Sequence, residues 1–531
     1  MILDLGVGDL CEPLTGRTWT GRTIPHRRER RANYYRRQGV GPADPVLIHF
    51  GNTLEFFADL LALWRLGACV VPIDSRLTPF EVETLAQAAG ARFSIWREQP
   101  EPSLARSLTG LGVRMLQSPD DAGDDHHDMA SPWPPVALSL DADALVLFTS
   151  GTTGRPKGVV HTHRSLRARW TSLRVTPGLH GFERTLCVLP THFGHGLICN
   201  ALFPWLSGQD LFVLPPFRAD VILRLGAVLD EHRITCMSSV PALWRLALKT
   251  APRPRARSLE RVFCGSAPLS ASLWESIRDW TGAREVLNVY GITEVGSWLA
   301  GTTMPDYVPE DGLIGEAWGG VVAILKSGDT STPAEHREAC GPGEAGYVWV
   351  KTPALMRGYL GRDDLPAQAV SDGWFTTGDI GVIDERGRLY LRGREREEIN
   401  MGGTKVYPGD IDAVLERFGE TLDVCTFGYA DRVSGEEVGV ALVLRTTHAE
   451  ALRHLYAWAR RHLALHQLPR RWYLLDAIPR TSRGQVDRAA VAERCATLKP
   501  LDLRRLRGSA TVATAPQPQQ ADQAGDARRG P

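Results

Sequence analysis

Short β-branched segments alternate with longer helix-forming segments through most of this chain. The strand-like segments PVLIHF and CVVPID, for example, stand on either side of the helix-forming stretch LEFFADLLALWRLG. This alternation is typical of a sheet flanked by helices, so we predict an α/β fold with its chemistry on strand-to-helix loops. With 531 residues, the chain should hold at least two domains, because single hydrophobic cores stop growing at about 250 to 300 residues.

Charge and cysteine content exclude several classes of protein. Sixty-one lysines and arginines balance 61 aspartates and glutamates, so the chain lacks the positive charge of a nucleic-acid or membrane-surface binder. The arginine-rich run HRRERRANYYRR is then interpreted as a solvated helix face. Nine cysteines without a C-x-x-C pair argue against a disulfide framework or a zinc knuckle. With neither a signal sequence nor an apolar run of about 18 residues, we expect a cytoplasmic protein that does not enter the membrane.

The most informative segment is LVLFTSGTTGRPKGVVHTH, in which a strand leads into a loop of Thr, Ser and Gly. Backbone N–H groups, hydroxyls and a lysine in such a loop can bind phosphate oxygens. It is not the P-loop of kinases and GTPases, since Pro156 stands where that motif needs glycine and Gly158 follows the lysine. The candidate phosphate-binding residues are Thr149, Ser150, Gly151, Thr152, Thr153, Gly154 and Lys157.

This loop resembles the phosphate-binding signature of the adenylate-forming (ANL) superfamily, which comprises acyl-CoA ligases, peptide-synthetase adenylation domains and luciferases. Three further segments resemble motifs of that family and follow in its order: CGSAPLS, NVYGITEVG and TTGDIGVIDERGRLYLRGRE. The resemblance implies that Thr293 meets the α-phosphate, that Glu294 holds Mg2+ and that Asp379 binds the ribose hydroxyls of ATP or of the AMP moiety. Further nucleotide-binding positions implied in the same way are Gly265, Ser266, Ala267, Tyr290, Gly291 and Arg394.

The same resemblance implies the adenylate-forming fold, with a large N-terminal domain of α/β subdomains, residues 1–394, and a small mobile C-terminal α/β domain, residues 395–507. The remainder, residues 508–531, has almost no large apolar residue, so we expect a disordered tail. Arg396 stands at the family's hinge position, where aspartate or lysine is usual. It would still allow the pivot, or it is an ordinary solvated arginine.

Near the C-terminus the chain departs from the family pattern. In IPRTSRGQVDRAAV, aligned on Gly484 and Arg488, Gln485 replaces the lysine that bridges the carboxylate and the α-phosphate during adenylation in the family. A neutral amide cannot offset charge that builds up on a phosphate, and loss of one such group costs about 10² to 10³ in rate. Alternatively, Arg480 or Arg483 takes over the role, or the alignment slips by one residue.

We therefore expect a non-adenylating acyl-CoA ligase, which converts a preformed acyl-adenylate and CoA to acyl-CoA and AMP. Such an enzyme requires a separate ligase that supplies the adenylate. The missing lysine and the overall pattern are similar to the split ligases of platensimycin- and platencin-type diterpenoid antibiotic biosynthesis. Two alternatives stay open: a complete ligase that uses the free acid, ATP, Mg2+ and CoA, and a non-catalytic nucleotide-binding member.

The segment LPTHFGHGL bears on the acid, because amino-acid-activating members carry an aspartate there and this chain has none. His192 matches the family's aromatic gate beside the acyl phosphate, or it is a structural histidine, as we expect for His195. By position in the family, mostly apolar or small residues wall the acyl pocket, which fits a hydrophobic acid: Ser238, Ser239, Val240, Trp244, Val289 and Trp298. Gly402 and Gly403 resemble the loop that walls the pantetheine tunnel. No carrier-protein domain follows, which favours free CoA over a carrier protein in trans.

Overall fold

The computed structural model describes residues 6–119, 139–149, 156–216, 218–303, 307–333, 336–361, 370–401, 404–431, 435–481, 484–501 and 503. The chain divides into two compact units, Met1–Glu395 and Arg396–Pro531. The expected tail, residues 508–531, lies outside the described residues, and the limits of the two domains stay predictions. Within the part of the chain that the structure describes, no helix is both long enough and apolar enough for a bilayer crossing.

The first unit contains a seven-stranded sheet, sheet A, whose middle strands are parallel. In spatial order its strands are Gly358–Tyr359, Lys157–Thr162, Asp143–Thr149, Cys69–Pro72, Pro45–Ile48, Phe93–Trp96 and Arg114–Gln117. The helices that accompany these strands in the chain are Ile24–Arg37, Leu54–Leu66, Pro79–Ala89, Pro102–Gly110 and His163–Val175. This interleaving confirms the predicted α/β architecture.

A second sheet of the same unit, sheet B, has 14 strands. In spatial order these are Val321–Leu325, Gly346–Lys351, Trp374–Ile383, Leu389–Arg394, Leu313–Ala317, Ser297–Gly301, Glu285–Ile292, Arg261–Gly265, Cys236–Ser239, Arg184–Cys187, Asp210–Val213, Leu10–Glu12 and Arg17–Trp19, with Val370–Ser371 beside Trp374–Ile383. Its helices are His195–Leu202, which has π-helical hydrogen bonding, and Phe203–Trp205, Ala219–Leu223, Leu225–Glu231, Pro241–Thr250, Ala271–Thr281 and the 3₁₀ turn Thr293–Val295. The strands from Arg184 to Ile292 run parallel, so their carboxyl ends meet at one edge.

Local sequence signals explain where the helices begin and end. The helix Leu54–Leu66 begins after Thr53, whose side chain accepts from the Phe56 amide, and it ends at Gly67, which has a left-handed φ of 77°. Such caps satisfy backbone groups that the first and last turns leave unpaired. Nearly all of this helix is buried, which accounts for its continuous apolar sequence.

The second unit is a smaller α/β body with its own core. Its five-stranded sheet, sheet C, has the spatial order Thr404–Val406, Ile399–Met401, Gly435–Leu444 and Thr421–Asp431, with Arg471–Leu474 parallel to Gly435–Leu444. The helices are Pro408–Glu416, Ala449–His462 and Arg488–Ala496, and the 3₁₀ turn Glu395–Glu397 spans the division between units. Leu415, Leu442 and Leu455 are fully buried in this core.

Candidate active site

The predicted phosphate loop joins two paired strands of sheet A. Thr149 ends one strand and Lys157 begins the next, and these residues face each other in the antiparallel register. The Thr149 hydroxyl donates to the Lys157 carbonyl over 3.4 Å. The loop residues 150–154 lie outside the described residues, so their phosphate contacts stay predictions. The strand pair nevertheless holds the first and last candidate residues of the loop side by side.

Lys157, Tyr359 and Glu294 form one connected group. The Lys157 ammonium lies 5.5 Å from the centre of the Tyr359 ring, within cation–π range. The Tyr359 hydroxyl donates to Glu294 Oε1 over 2.8 Å, and burial, followed by the charge of Glu294, raises the pKa of Tyr359. The neutral Tyr359 hydroxyl therefore donates to the Glu294 carboxylate, while the Lys157 ammonium lies over the ring of the same tyrosine. Sequence reasoning missed Tyr359, whose only signal is an aromatic residue in the segment GYLG.

The predicted phosphate and magnesium residues lie in the short 3₁₀ turn Thr293–Val295. Its first carbonyl accepts from His161 Nε2 at 2.8 Å, and its second accepts from the Met356 amide at 2.7 Å. The third accepts from Arg169 Nε at 3.0 Å and Nη2 at 2.8 Å. Because a carbonyl only accepts, His161 carries a proton on Nε2. Every carbonyl of this turn is thus held by a donor from elsewhere in the first unit.

Glu294 suits a magnesium ion that is shared with a nucleotide. Mg2+ is usually held by one or two carboxylates together with substrate phosphates and water. Among the described residues there is no group of three or more His, Cys, Asp or Glu side chains that could form an all-protein metal site. The Glu294 side chain is partly exposed and receives the Tyr359 hydroxyl through one oxygen, so a carboxylate oxygen remains for an ion.

The predicted ribose site brings together Asp379 and Arg394, on neighbouring strands of sheet B, and Tyr290, from the strand Glu285–Ile292 of the same sheet. Asp379 and Arg394 are directly opposite in the antiparallel register, and Arg394 Nε lies 3.1 Å from Asp379 Oδ1. The Tyr290 hydroxyl donates to Asp379 Oδ2, and the Thr377 hydroxyl accepts from the Asp379 amide at 3.1 Å. Burial, and then the charge of Asp379, raises the pKa of Tyr290. A buried carboxylate with fixed geometry can accept from vicinal hydroxyls, as a ribose requires.

The predicted adenine-side residues follow the strand Arg261–Gly265. A Cβ on Gly265 would lie 2.4 Å from the Val289 carbonyl oxygen, so close strand packing requires glycine there. Ser266 has a left-handed φ of 66°, which is unusual for a non-glycine residue. Its hydroxyl lies 2.8 Å from His195 Nδ1, and His195 Nε2 lies 2.5 Å from the Ser238 hydroxyl. His195 therefore ties the adenine-side turn to the predicted acyl pocket.

The predicted acyl-pocket residues are buried, and several of them are in contact. The Trp244 indole N–H donates to the Ser239 hydroxyl at 2.7 Å, which in turn donates to the Phe263 carbonyl at 2.7 Å. Trp298 stacks on the Phe263 ring with centroids 4.6 Å apart. Val240, which follows Ser239 in the chain, and Val289, in the strand Glu285–Ile292, are also buried. The predicted pocket residues are therefore aromatic and aliphatic, apart from Ser238 and Ser239.

His192 faces a carboxylate that sequence reasoning missed. Its Nε2 lies 3.7 Å from Asp74 Oδ2, and Arg76 binds both oxygens of Asp74. Burial opposes ionisation of Asp74, but the hydrogen bonds from Arg76 outweigh it and the pKa of Asp74 is lowered. The sequence signal for Asp74 is its position two residues after the buried strand Cys69–Pro72.

Asn52 fixes the segment that leads to His192. Its side-chain amide donates to the carbonyls of Leu189 and Leu214 at 3.0 and 2.9 Å, and its oxygen accepts from the Thr191 amide at 3.1 Å. Asn52 is buried and has a φ of 50°. A single side chain, in the loop after the sheet A strand Pro45–Ile48, therefore binds two segments of the sheet B region.

Gln485 lies in a short hairpin of the second unit. The Thr481 amide donates to the Gln485 carbonyl at 2.8 Å, and residues Arg480 and Val486 pair as an isolated bridge. The Arg480 guanidinium binds both oxygens of Asp423 at 2.6 and 2.8 Å and donates to the Gly484 carbonyl at 3.2 Å. Arg480 is therefore committed within its own unit, whereas Arg483 lies outside the described residues.

Comparison with known proteins places this arrangement in a family. The family model described as AMP-binding enzyme matches residues 10–360. The chain belongs to this family. The crystal structure of ATP-bound MatB from Rhodopseudomonas palustris matches with a TM-score of 0.80 at 24% identity, covering 93% of this chain and 97% of that chain. The predicted adenylate-forming α/β fold is therefore confirmed.

Two relatives of this AMP-binding enzyme cover most of its length. A probable CoA ligase of Humulus lupulus is 29% identical over 469 residues, 86% of this chain and 87% of its own. A feruloyl-CoA synthase of Amycolatopsis sp is 29% identical over 486 residues, 90% of this chain and 94% of its own. The described part of the structure does not include Gly402, Gly403 or the side chain of Arg396. The roles predicted for these residues stay predictions.

Proposed function

We propose that this AMP-binding enzyme is an acyl-CoA ligase that forms the CoA thioester of a hydrophobic carboxylic acid through an acyl-adenylate. The support is chemical: Asp379 can receive ribose hydroxyls, the Thr293 hydroxyl and the Lys157 ammonium suit a phosphate, and the buried pocket residues are mostly apolar. The relatives named above are a CoA ligase and a CoA synthase, which favours CoA as the thiol. A hydrophobic acid agrees with the residues around Trp244 and Trp298.

We further infer that the enzyme performs only thioester formation. The observation that carries this proposal is Gln485 at the lysine position, with Arg480 held by Asp423. To replace the lysine, Arg480 would have to leave an ion pair in which its Nη2 contacts both oxygens of Asp423, and the replacement would then cost the energy of that pair. Without a cation at this position, transfer of the acid to the α-phosphate loses stabilisation as charge develops.

The thioester step does not need a cation at position 485 of the second unit. The CoA sulfur attacks the carbonyl carbon of the acyl-adenylate, the bond from that carbon to the phosphate oxygen breaks, and AMP leaves with the electron pair. The thiol proton passes to solvent. Lys157 and Thr293 would stabilise the departing phosphate, and Asp379 would keep the ribose in place. Mg2+ at Glu294 would supply charge neutralisation when a polyphosphate is bound.

A separate adenylating ligase would supply the substrate of this enzyme. Such a division of labour agrees with the similarity of the sequence to split ligases of diterpenoid antibiotic biosynthesis, and the reaction would then belong to natural-product formation. The partner enzyme would consume the acid and ATP and release the adenylate with pyrophosphate.

A complete two-step ligase is the second candidate, and one observation favours it. The Lys157, Tyr359 and Glu294 group is intact, and Glu294 suits a Mg2+ ion that would accompany ATP. Thioester formation from an adenylate does not need this ion. In this second candidate, Arg483 would supply the missing cation.

Synthetic acyl-adenylates of a panel of hydrophobic acids, mixed with CoA, test the proposed activity. We expect acyl-CoA and AMP in equal amounts, with product falling sharply when Asp379 is changed to Ala. Pantetheine attached to a carrier protein, offered in place of CoA, distinguishes the thiol acceptors. Absence of thioester from every adenylate and both thiols would contradict the proposal and favour a non-catalytic role.

A further inference from the structure

The turn Thr293–Val295 is held more firmly than a surface turn requires. Its three carbonyls accept donors from the side chain of His161, the backbone of Met356 and the side chain of Arg169. Two of these donors come from one continuous segment, because His161 lies in the strand Lys157–Thr162 and Arg169 lies in the helix that follows it. The segment that begins with the phosphate-loop lysine therefore also holds the turn with Thr293 and Glu294.

The register of that strand links the two sets of residues. Side chains alternate along a strand, so Lys157 and His161, four residues apart, lie on the same face. His161 Nδ1 also lies 3.3 Å from the Ser165 hydroxyl, which fixes the ring from its other side. A shift of the strand by one residue would move Lys157 and the donor to Thr293 together.

Arg169 is a charged residue where an apolar one would be easier to bury. Its side chain is fully buried, and its described partners are the Val295 carbonyl, the Trp318 carbonyl at 3.1 Å and the Ser172 hydroxyl at 3.2 Å. In the part of the chain that the structure describes, no carboxylate forms an ion pair with it, and burial lowers its pKa to about 10. Burying a guanidinium without a counter-charge is costly, and a well-packed apolar residue often improves stability at such positions. We attribute the presence of Arg169 to the hydrogen bonds that it donates to the Val295 and Trp318 carbonyls.

We propose that His161 and Arg169 are positioning residues that hold the Thr293–Val295 turn so that Thr293 and Glu294 can bind the nucleotide's phosphate and its Mg2+. The proposal rests on the nucleotide site put forward under the proposed function. It assigns roles to two buried residues that touch neither phosphate nor metal. It also explains why a charged side chain is retained in the core.

Calorimetric titration of AMP and of adenosine separates the phosphate part of binding from the rest. Adenosine binding should depend on Asp379 and the adenine-side turn, whereas AMP binding should depend on Thr293 as well. In His161→Asn the shorter amide no longer reaches the Thr293 carbonyl, while in His161→Gln the amide nitrogen lies near the former Nε2. Arg169→Met removes the donors and leaves no buried charge, so this variant should fold.

We expect His161→Asn and Arg169→Met to weaken AMP binding by about tenfold and to leave adenosine binding unchanged. Tenfold is the effect of losing a hydrogen bond that orders a site for a charged group. His161→Gln should recover most of the AMP affinity. Equal weakening of AMP and adenosine, or an unchanged ratio in both Arg169→Met and His161→Asn, would overturn the positioning role. A wild-type protein that binds AMP no better than adenosine would instead overturn the proposed phosphate site, and this inference with it.

Discussion

At the scale of single residues, the proposed loss of adenylation rests on Gln485. It carries no charge, and its neighbour Arg480 is paired with Asp423. Changing Gln485 to Lys should therefore restore the missing cation. We expect a gain of about 10² in ATP–pyrophosphate exchange with the free acid, since one transition-state charge is worth about that factor.

Gln485→Met is the matched control, because it has similar length and no charge. It should leave exchange at the wild-type level, and neither variant should change thioester formation from the adenylate by more than about the twofold effect of a minor surface contact. No gain in the lysine variant would mean that the defect in adenylation lies at another residue.

His195 makes a second prediction at the scale of single residues. Burial lowers its pKa to about 3, below the ordinary value of 6.5. Between these values the unfolded chain binds the proton and the folded chain does not, so stability is fully present above pH 6.5 and falls as the pH decreases toward 3. This one group contributes a slope of about 1.4 kcal/mol per pH unit. Urea unfolding from pH 7 to pH 5 measures it, and His195→Gln should have a shallower slope; an equal slope would contradict a neutral, buried His195.

At the scale of elements, Asn52 holds the segment before His192. Asn52→Gly keeps the left-handed backbone at low cost but removes hydrogen bonds to Leu189, Thr191 and Leu214. We expect a loss of about 3 kcal/mol in the free energy of unfolding, because buried backbone groups lose their partners. Asn52→Ala should lose about 1 kcal/mol more, owing to the positive φ. Urea unfolding measures both, and a glycine variant as stable as wild type would show that the segment is held by other contacts.

How far the elements and the site could be predicted depended on distance along the chain. The strand that leads into the loop before Lys157 and the motif that contains Glu294 could be predicted because each is contiguous in the sequence, whereas the antiparallel strand that begins at Lys157 and the 3₁₀ turn at Thr293 were not predicted. Asn52, Asp74 and Tyr359 were missed, because each contacts a residue far away in the sequence, and such pairings depend on strand order in sheets A and B. His195 was expected to be structural, and its ring nitrogens contact the hydroxyls of Ser266 and Ser238. Sequence reasoning had not predicted these two partners.

At the scale of the whole molecule, the residues proposed for nucleotide binding lie in the first unit, whereas Gln485 lies in the second. This division separates the group that meets the adenylate from the group that would drive its formation. Under the proposed function, one substitution in the second unit would remove adenylation and leave the residues around Asp379 and Glu294 unchanged.

Removal of Mg2+ tests this division. Thioester formation from an acyl-adenylate releases AMP and no pyrophosphate, so it should continue unchanged in EDTA. Any reaction that starts from ATP should stop, since Mg2+ neutralises the charge of the polyphosphate. Loss of thioester formation in EDTA, recovered by added Mg2+, would contradict the account and assign Glu294 a role in the second step.

The most direct test of the central claim compares two rates for one hydrophobic acid. Acyl-CoA formation is measured from its synthetic adenylate with CoA, and from the free acid with ATP, Mg2+ and CoA, at equal enzyme concentration. We predict that the adenylate reacts faster by a factor of about 10² or more, because the acid route lacks the cation replaced by Gln485. Equal rates from the two starting materials would contradict the account and identify a complete two-step ligase.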